Sequence, residues 1–270
     1  MDNSLNGRGL FTKCVMALVL IFLLAPLVIV VVISFGQSSL MEFPPTEYSL
    51  RWYQTLFASS QWLSAALTSI KLGLIVTVAA TVLATFTALG VWRYQGPGKA
   101  FMQALILSPL MVPVIVSGVA LYYLFSIIGL IGTLTALVIA HVLLTFPYGV
   151  VVINAALERF DVRLEQAAMS CGAEPFRIFF RVTLPVIRPA IMVAALFAFL
   201  VSFDEVVMAL LLSAPETMTV PKQMWDGIRF DLNPVIAAAS TILLAFSATL
   251  VVIGEILRRR SIGKRTHENG

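Results

Sequence analysis

Six stretches of this chain are too long and too apolar to be absorbed by a water-facing fold, at roughly 14–35, 63–92, 101–127, 129–156, 189–213 and 234–257. About 30 Å of hydrocarbon is crossed at 1.5 Å per residue, so roughly 20 mostly apolar residues make one span, and each stretch meets that length. Lipid offers no partner for a bare N–H or C=O, which leaves helices as the element each stretch can form on its own. At 59% hydrophobic and 12% charged, with a mean hydropathy of +0.95, the chain has too little polar surface to hide these runs in a soluble core. The expected fold is therefore all-α, a polytopic membrane protein with about six transmembrane helices. It divides into a short N-terminal segment (1–13), a membrane domain (14–257) carrying one long loop (157–188), and a basic tail (258–270).

Charge sets the orientation. With the N-terminus inside, fourteen of the eighteen Lys and Arg residues fall on the cytoplasmic side, only Arg51, Lys222 and Arg229 fall outside, and Lys71 lies within the second span. Positive charge is retained in the cytoplasm, so both termini are expected there. The same distribution accounts for the formal charge of +4 without nucleic acid as a partner. The run Arg258–Arg260 suits contact with anionic lipid. The first apolar run follows Arg8 and Lys13 as a signal sequence would. Its roughly 22 residues exceed the 7 to 15 of an h-region, and the expectation is a retained anchor, with Ser34, Gly36 and Ser38 leaving cleavage as the alternative. Cys14 and Cys171 are far apart, both on the reducing side, and suggest neither a disulfide nor a metal site. Between the first two spans, Ser49, Leu50, Arg51, Trp52 and Tyr53 read as a short amphipathic helix at the headgroup level.

The loop at 157–188 is the one polar stretch large enough to carry a function. It runs Glu165, Gln166, Ala167, Ala168, Met169, Ser170, Cys171, Gly172, Ala173, Glu174, Pro175 and on to Val182, Leu184 and Pro185. An Ala-rich helix ended by Gly172, a corner, and a second helix opened by Pro175 is the expected local structure. Ala167, Ala168 and Gly172 let a partner surface come close, and Phe176, Phe179 and Phe180 offer apolar area that a solvated linker does not need.

In this loop the sequence resembles the binding-protein-dependent ABC permeases, whose signature is E-A-A, three residues, G, nine residues, I-x-L-P. Ala167, Ala168, Gly172, Leu184 and Pro185 match; Gln166 stands at the Glu position with Glu165 one residue early, and Val182 replaces Ile. The resemblance implies a type I ABC importer permease fold, in which Glu165, Gln166, Ala167, Ala168, Gly172, Ala173, Glu174, Leu184 and Pro185 form the loop that docks on a cytoplasmic ATPase. It covers nearly the whole chain. Ser202, Phe203, Asp204, Glu205, Val206 and Val207, together with Trp225 to Pro234 and the Leu50 to Tyr53 segment, resemble the second permease of spermidine/putrescine-type importers. That resemblance implies a small organic solute, a polyamine first and another small solute as the alternative. It also implies a second homologous permease, two ATPase subunits and a periplasmic binding protein as partners in a bacterial inner membrane, with ATP and Mg bound by the ATPase and no cofactor on this chain.

Few polar groups lie within the runs. Asp204 and Glu205 are expected in the outer half of the fifth span, where a carboxylate costs about 2.5 to 3.5 kcal/mol by insertion scales and so faces a pathway or a partner. A cationic solute would be stabilised there, with Phe203 adding cation–π contact; the plainer alternative is a bond to a neighbouring helix. His141 reads as a hydrogen-bonded packing residue rather than a proton relay. Pro109, Pro113, Pro147 and Gly149 are expected to kink helices.

Three classes compete for the function. The chain contains no G-x-x-x-x-G-K-[ST] loop, so it is expected to be a transport subunit rather than an ATPase. A secondary carrier would carry inverted repeats and ion-binding helix breaks. An intramembrane enzyme would need a reacting dyad at membrane depth, and a single His does not supply one.

Overall fold

The computed structural model of the chain describes the backbone of residues 3–230 and 233–267 and the side chains of 12–230 and 233–256. Asp231 and Leu232, and the side chains of Arg8, Arg258, Arg259, Arg260, Lys264 and Arg265, lie outside the described residues. The described chain is helical throughout, in the order α1 (Asn3–Ser34), α2 (Arg51–Ala58), α3 (Ser60–Arg93), α4 (Lys99–Met111), α5 (Val114–Ile127), α6 (Leu134–Leu157), α7 (Arg163–Ser170), α8 (Pro175–Ile178), a π turn (Phe179–Thr183), α9 (Leu184–Asp204), α10 (Val207–Leu212), a 3₁₀ turn (Pro215–Thr217), α11 (Val220–Phe230) and α12 (Val235–His267). Among the described residues five helices are long and apolar enough to cross a membrane, and α4 with α5 makes a sixth span if that bent pair is counted as one.

That pair departs from the single third span expected over 101–127. The two helices meet at 97°. Val112 is extended, at φ −88° and ψ 128°, because the ring of the following Pro113 excludes the helical region for the residue before it. Pro113 supplies no N–H to continue the ladder, so the chain turns instead of kinking.

The fifth span is displaced at both ends relative to 189–213. It is helical from Pro175 to Asp204, with the π turn inside it, and Pro189 lies within α9 instead of opening it. A proline ring clashes with the carbonyl four residues earlier. The widened turn at Phe179–Thr183 lies where Pro185 would make that clash, which lets one helix pass from the loop into the span. At the far end Glu205 is extended, at φ −73° and ψ 115°, and α10 follows as a separate short helix. Helix α11, with Trp225, Ile228 and Phe230 exposed, was not anticipated in the connection that leads to α12.

The described chain falls into two compact units, 1–63 with 224–246 and 64–223 with 247–270. In the first, a short helix forms where one was expected, but it runs over Arg51–Ala58 and buries Trp52 instead of turning it to the headgroup level. Trp52 and Leu56 pack with Val235, Ala238 and Ala239, Arg51 lies 5.0 Å over the Trp52 ring, and Ser34 Oγ and Tyr53 Oη share a hydrogen bond of 2.7 Å. The transmembrane part of α1 buries almost nothing, and its Leu, Ile, Val and Phe side chains stand exposed from Val15 to Ile29.

The second unit is built on small residues. Ala80, Ala84 and Ala88 of α3 are fully buried against α6 and α9, as are Ala136 and Ala140 of α6. Helices cannot gain from the hydrophobic effect inside lipid, so they associate by close packing, and small side chains permit the approach. Gly149 is the tightest such point between α3 and α6: a Cβ there would stand 2.7 Å from that of Ala84, which has no flexible end to move aside.

Candidate functional site

The long loop folds as a helix, a corner and a second helix, and its corner is fixed by main-chain bonds. Gly172 has φ +79°, the left-handed conformation that ends helices at little cost only in glycine. Its N–H donates to Met169 O at 2.9 Å, while the next N–H, of Ala173, donates to Ala168 O at 3.1 Å. That pair of bonds satisfies two of the carbonyls that the end of α7 leaves open. Pro175 then opens α8 at its first turn, where the missing N–H costs nothing.

Helix α7 faces two ways. Gln166 and Ala167 are exposed, Ala168 and Ala173 half-buried, and Glu174 exposed, so most of the residues expected to dock present themselves outward. Leu164, Met169, Phe176 and Phe180 add exposed apolar surface beside them, with the rings of Phe176 and Phe180 4.6 Å apart. Phe179 does not belong to that surface: it is half-buried, packs on the buried core of α3, α6 and α9, and lies 6.3 Å from Phe86 of α3.

Glu165 was expected among the docking residues, and its side chain turns the other way. It is the one buried residue of α7, at 8% exposure. Its Oε1 accepts from Arg93 Nη2 at 3.0 Å and from Thr183 Oγ1 at 2.5 Å, tying α7 to the last turn of α3 and to the π turn at once. The helix period explains the reversal: with Gln166 and Ala167 outward, the preceding position points back to the body. Leu184 and Pro185, also assigned to docking, stand in the first turn of α9 and shape the entry to that helix.

The three residues expected on a solute path separate. Phe203 is buried and stacks on Phe199 at 5.4 Å and 18°. The Glu205 carboxylate accepts from the N–H groups of Val207 at 2.7 Å and Met208 at 3.1 Å, so it caps α10 instead of projecting. Asp204 alone is exposed, at the end of α9, with no hydrogen-bond or ion-pair partner among the described residues. Two residues earlier Ser202 Oγ and His141 Nδ1 share a buried hydrogen bond of 2.9 Å, which joins α9 to α6. His141 is thus a bonded packing residue, as its position suggested.

An apolar groove of about 520 Å³ lies between α9 and α12, lined by Met192, Leu196, Leu200, Leu250, Ile253 and Glu255 among others. Its walls are nearly all hydrocarbon and suit a lipid-facing surface better than a charged solute. Among the described residues no group of three or more His, Cys, Asp or Glu side chains is placed to hold a metal ion.

Residues 80–264, which contain both the loop and the break after Asp204, match the model of the family described as "Binding-protein-dependent transport system inner membrane component". The chain belongs to that family. It is a permease of an ABC importer. The putrescine transport system permease protein PotI of Escherichia coli (strain K12) is 33% identical over 99% of this permease and 98% of its own length. The spermidine/putrescine transport system permease protein PotC of the same strain is 29% identical over 93% of this permease and 94% of its own length. A solved bacterial ABC transporter involved in the import of the acidic polysaccharide alginate superposes with a TM-score of 0.75 at 16% identity, covering 94% of this permease and 96% of that chain, which establishes the shared fold.

The features that sequence reasoning missed differ in kind. Glu205 stands immediately before the apolar run Val206–Leu212, and an acid in that position is a helix-start signal that was available. The partners of Glu165 are 72 and 18 residues away, and no local pattern announces them.

Proposed function

We propose that this permease forms half of the translocation path of an ATP-driven importer for a polyamine, spermidine or putrescine, which a periplasmic binding protein delivers. The observation that carries the substrate class is the similarity, over nearly the whole chain, to two permeases whose names specify spermidine/putrescine and putrescine. Asp204 supports it chemically: an exposed carboxylate at the end of a membrane helix, with no partner among the described residues, stabilises a passing ammonium group.

In this reading both termini and the loop at 157–188 are cytoplasmic, as the Lys and Arg distribution requires. The exposed face of α7 and α8, with Gln166, Ala167, Ala168, Ala173, Glu174 and the Phe176–Phe180 pair, seats in a groove of the ATPase. Two such ATPase subunits bind ATP and Mg, and a second, homologous permease completes the path. Closure of the ATPases on ATP draws the two docking loops together and opens the path outward; hydrolysis returns it inward and releases the solute.

The test is to purify the permease from its native membrane in mild detergent, identify what accompanies it, and measure ATP hydrolysis with the binding protein present. The reading expects an ATPase and a second permease in the preparation, hydrolysis stimulated by spermidine or putrescine, and an Asp204→Asn variant whose polyamine uptake falls about tenfold. A chain that purifies alone and moves solute without ATP overturns the importer assembly. Stimulation by an anionic solute and not by a polyamine overturns the substrate class alone.

A further inference from the structure

The docking helix is fastened to its own subunit through a carboxylate. Its larger apolar side chains, Leu164 and Met169, face outward, and the one residue it buries is Glu165. Hydrophobic burial therefore does not hold α7 in place. Two charge-assisted bonds do, both ending on the same carboxylate oxygen. Apolar contacts slide under load because they are non-directional, whereas bonds of this kind have a fixed length and direction. Their far ends are mechanically meaningful. Arg93 sits in the last turn of α3, and Thr183 is the final residue of the π turn from which α9 rises. Thr183 is fully buried, so its hydroxyl has no water to turn to if Glu165 leaves.

We propose that Glu165, held between Arg93 and Thr183, is the positioning link through which displacement of α7 reaches α3 and α9, so that it sets how much solute moves per ATP rather than whether the ATPase is held. Because the carboxylate faces the subunit, it makes no contact with the partner; it fixes the direction in which the partner's push is delivered. This inference rests on the docking reading given above.

Reconstituted complexes carrying Glu165→Ala, Glu165→Gln or Thr183→Val give the test. Thr183→Val removes only the hydroxyl and guards against a Glu165→Ala chain that fails to fold. Three quantities are read from each: the stoichiometry of copurifying ATPase, the ATP turnover, and the uptake per ATP hydrolysed. The link predicts unchanged stoichiometry, turnover within about twofold of wild type, and uptake per ATP reduced about tenfold in Glu165→Ala and about threefold in Thr183→Val, with Glu165→Gln between them because its carbonyl still accepts from Thr183. An unchanged ratio in both Glu165→Ala and Thr183→Val, with ATPase present, overturns the link and leaves docking intact. Loss of the ATPase from Thr183→Val overturns it too, since the cluster would then serve attachment. A wild-type preparation that brings no ATPase removes the docking reading itself, and is recognised before any variant is made.

Discussion

Glu165 and Glu205 lie in the same compact unit and both bind through Oε1, yet they organise the chain on different scales. Glu205 serves N–H groups two and three residues ahead and lets a membrane helix break and restart. Glu165 joins three elements, with partners 72 residues behind and 18 ahead. The local carboxylate answers a backbone need that any break in a span creates, because the first N–H groups of the new helix have no intrahelical acceptor. The distant one answers no such need, since the rest of α7 is exposed apart from the half-buried Ala168. A carboxylate drawn inward there holds a geometry, and the two glutamates separate making a fold from setting its moving parts.

Variants can break or sharpen that contrast. The largest effect is expected at the corner beside Glu165: Gly172→Trp forces a bulky residue into a left-handed conformation and onto the docking face, and should cut uptake tenfold or more while membrane insertion persists. Uptake at the wild-type rate would show that the corner is not the working surface. Arg93→Ala comes next, leaving a buried carboxylate short of its charged partner at a cost of about 1 to 3 kcal/mol, measured as reduced resistance to denaturation in detergent. Its effect should overlap strongly with that of Glu165→Ala in a double-mutant cycle, whereas Glu165→Ala and Glu205→Ala should add to within about 0.5 kcal/mol. Coupling between the two glutamates would contradict the division drawn here. Glu205→Ala itself should cost about 1 kcal/mol, the usual worth of a helix N-terminal acceptor, without altering uptake per ATP. Glu205→Gln keeps an accepting oxygen and should change stability by no more than a few tenths of a kcal/mol.

The sequence made the spans and the loop legible because their signals are local: runs of about 20 apolar residues, Gly172 to end a helix, Pro175 to start one. It misplaced elements where a proline has two readings. Pro189 was taken to open the fifth span but is carried inside α9, which begins upstream at Leu184 and runs on from the π turn. Pro113 was expected to kink a span and instead turns the chain through 97°. Helix α11 escaped because Lys222, Asp226 and Arg229 interrupt its apolar positions. At the site, the exposed stretch from Gln166 to Glu174 could be read directly, but the inward turn of Glu165, the burial of Phe203 and the capping role of Glu205 depend on what lies opposite each residue. Composition and spacing along one strand of sequence carry no record of that.

The corner of the loop also bears on how such a subunit can change over generations. Its form is written in two main-chain bonds and one left-handed glycine, none of which involves an outward side chain. If the outward face of α7 docks as proposed, residues such as Gln166, Ala167 and Glu174 can change to suit a different ATPase without disturbing the shape on which they are displayed. On that docking reading, compatibility and architecture are written in separate parts of the loop, and a duplicated transporter would acquire a private motor by altering the surface alone.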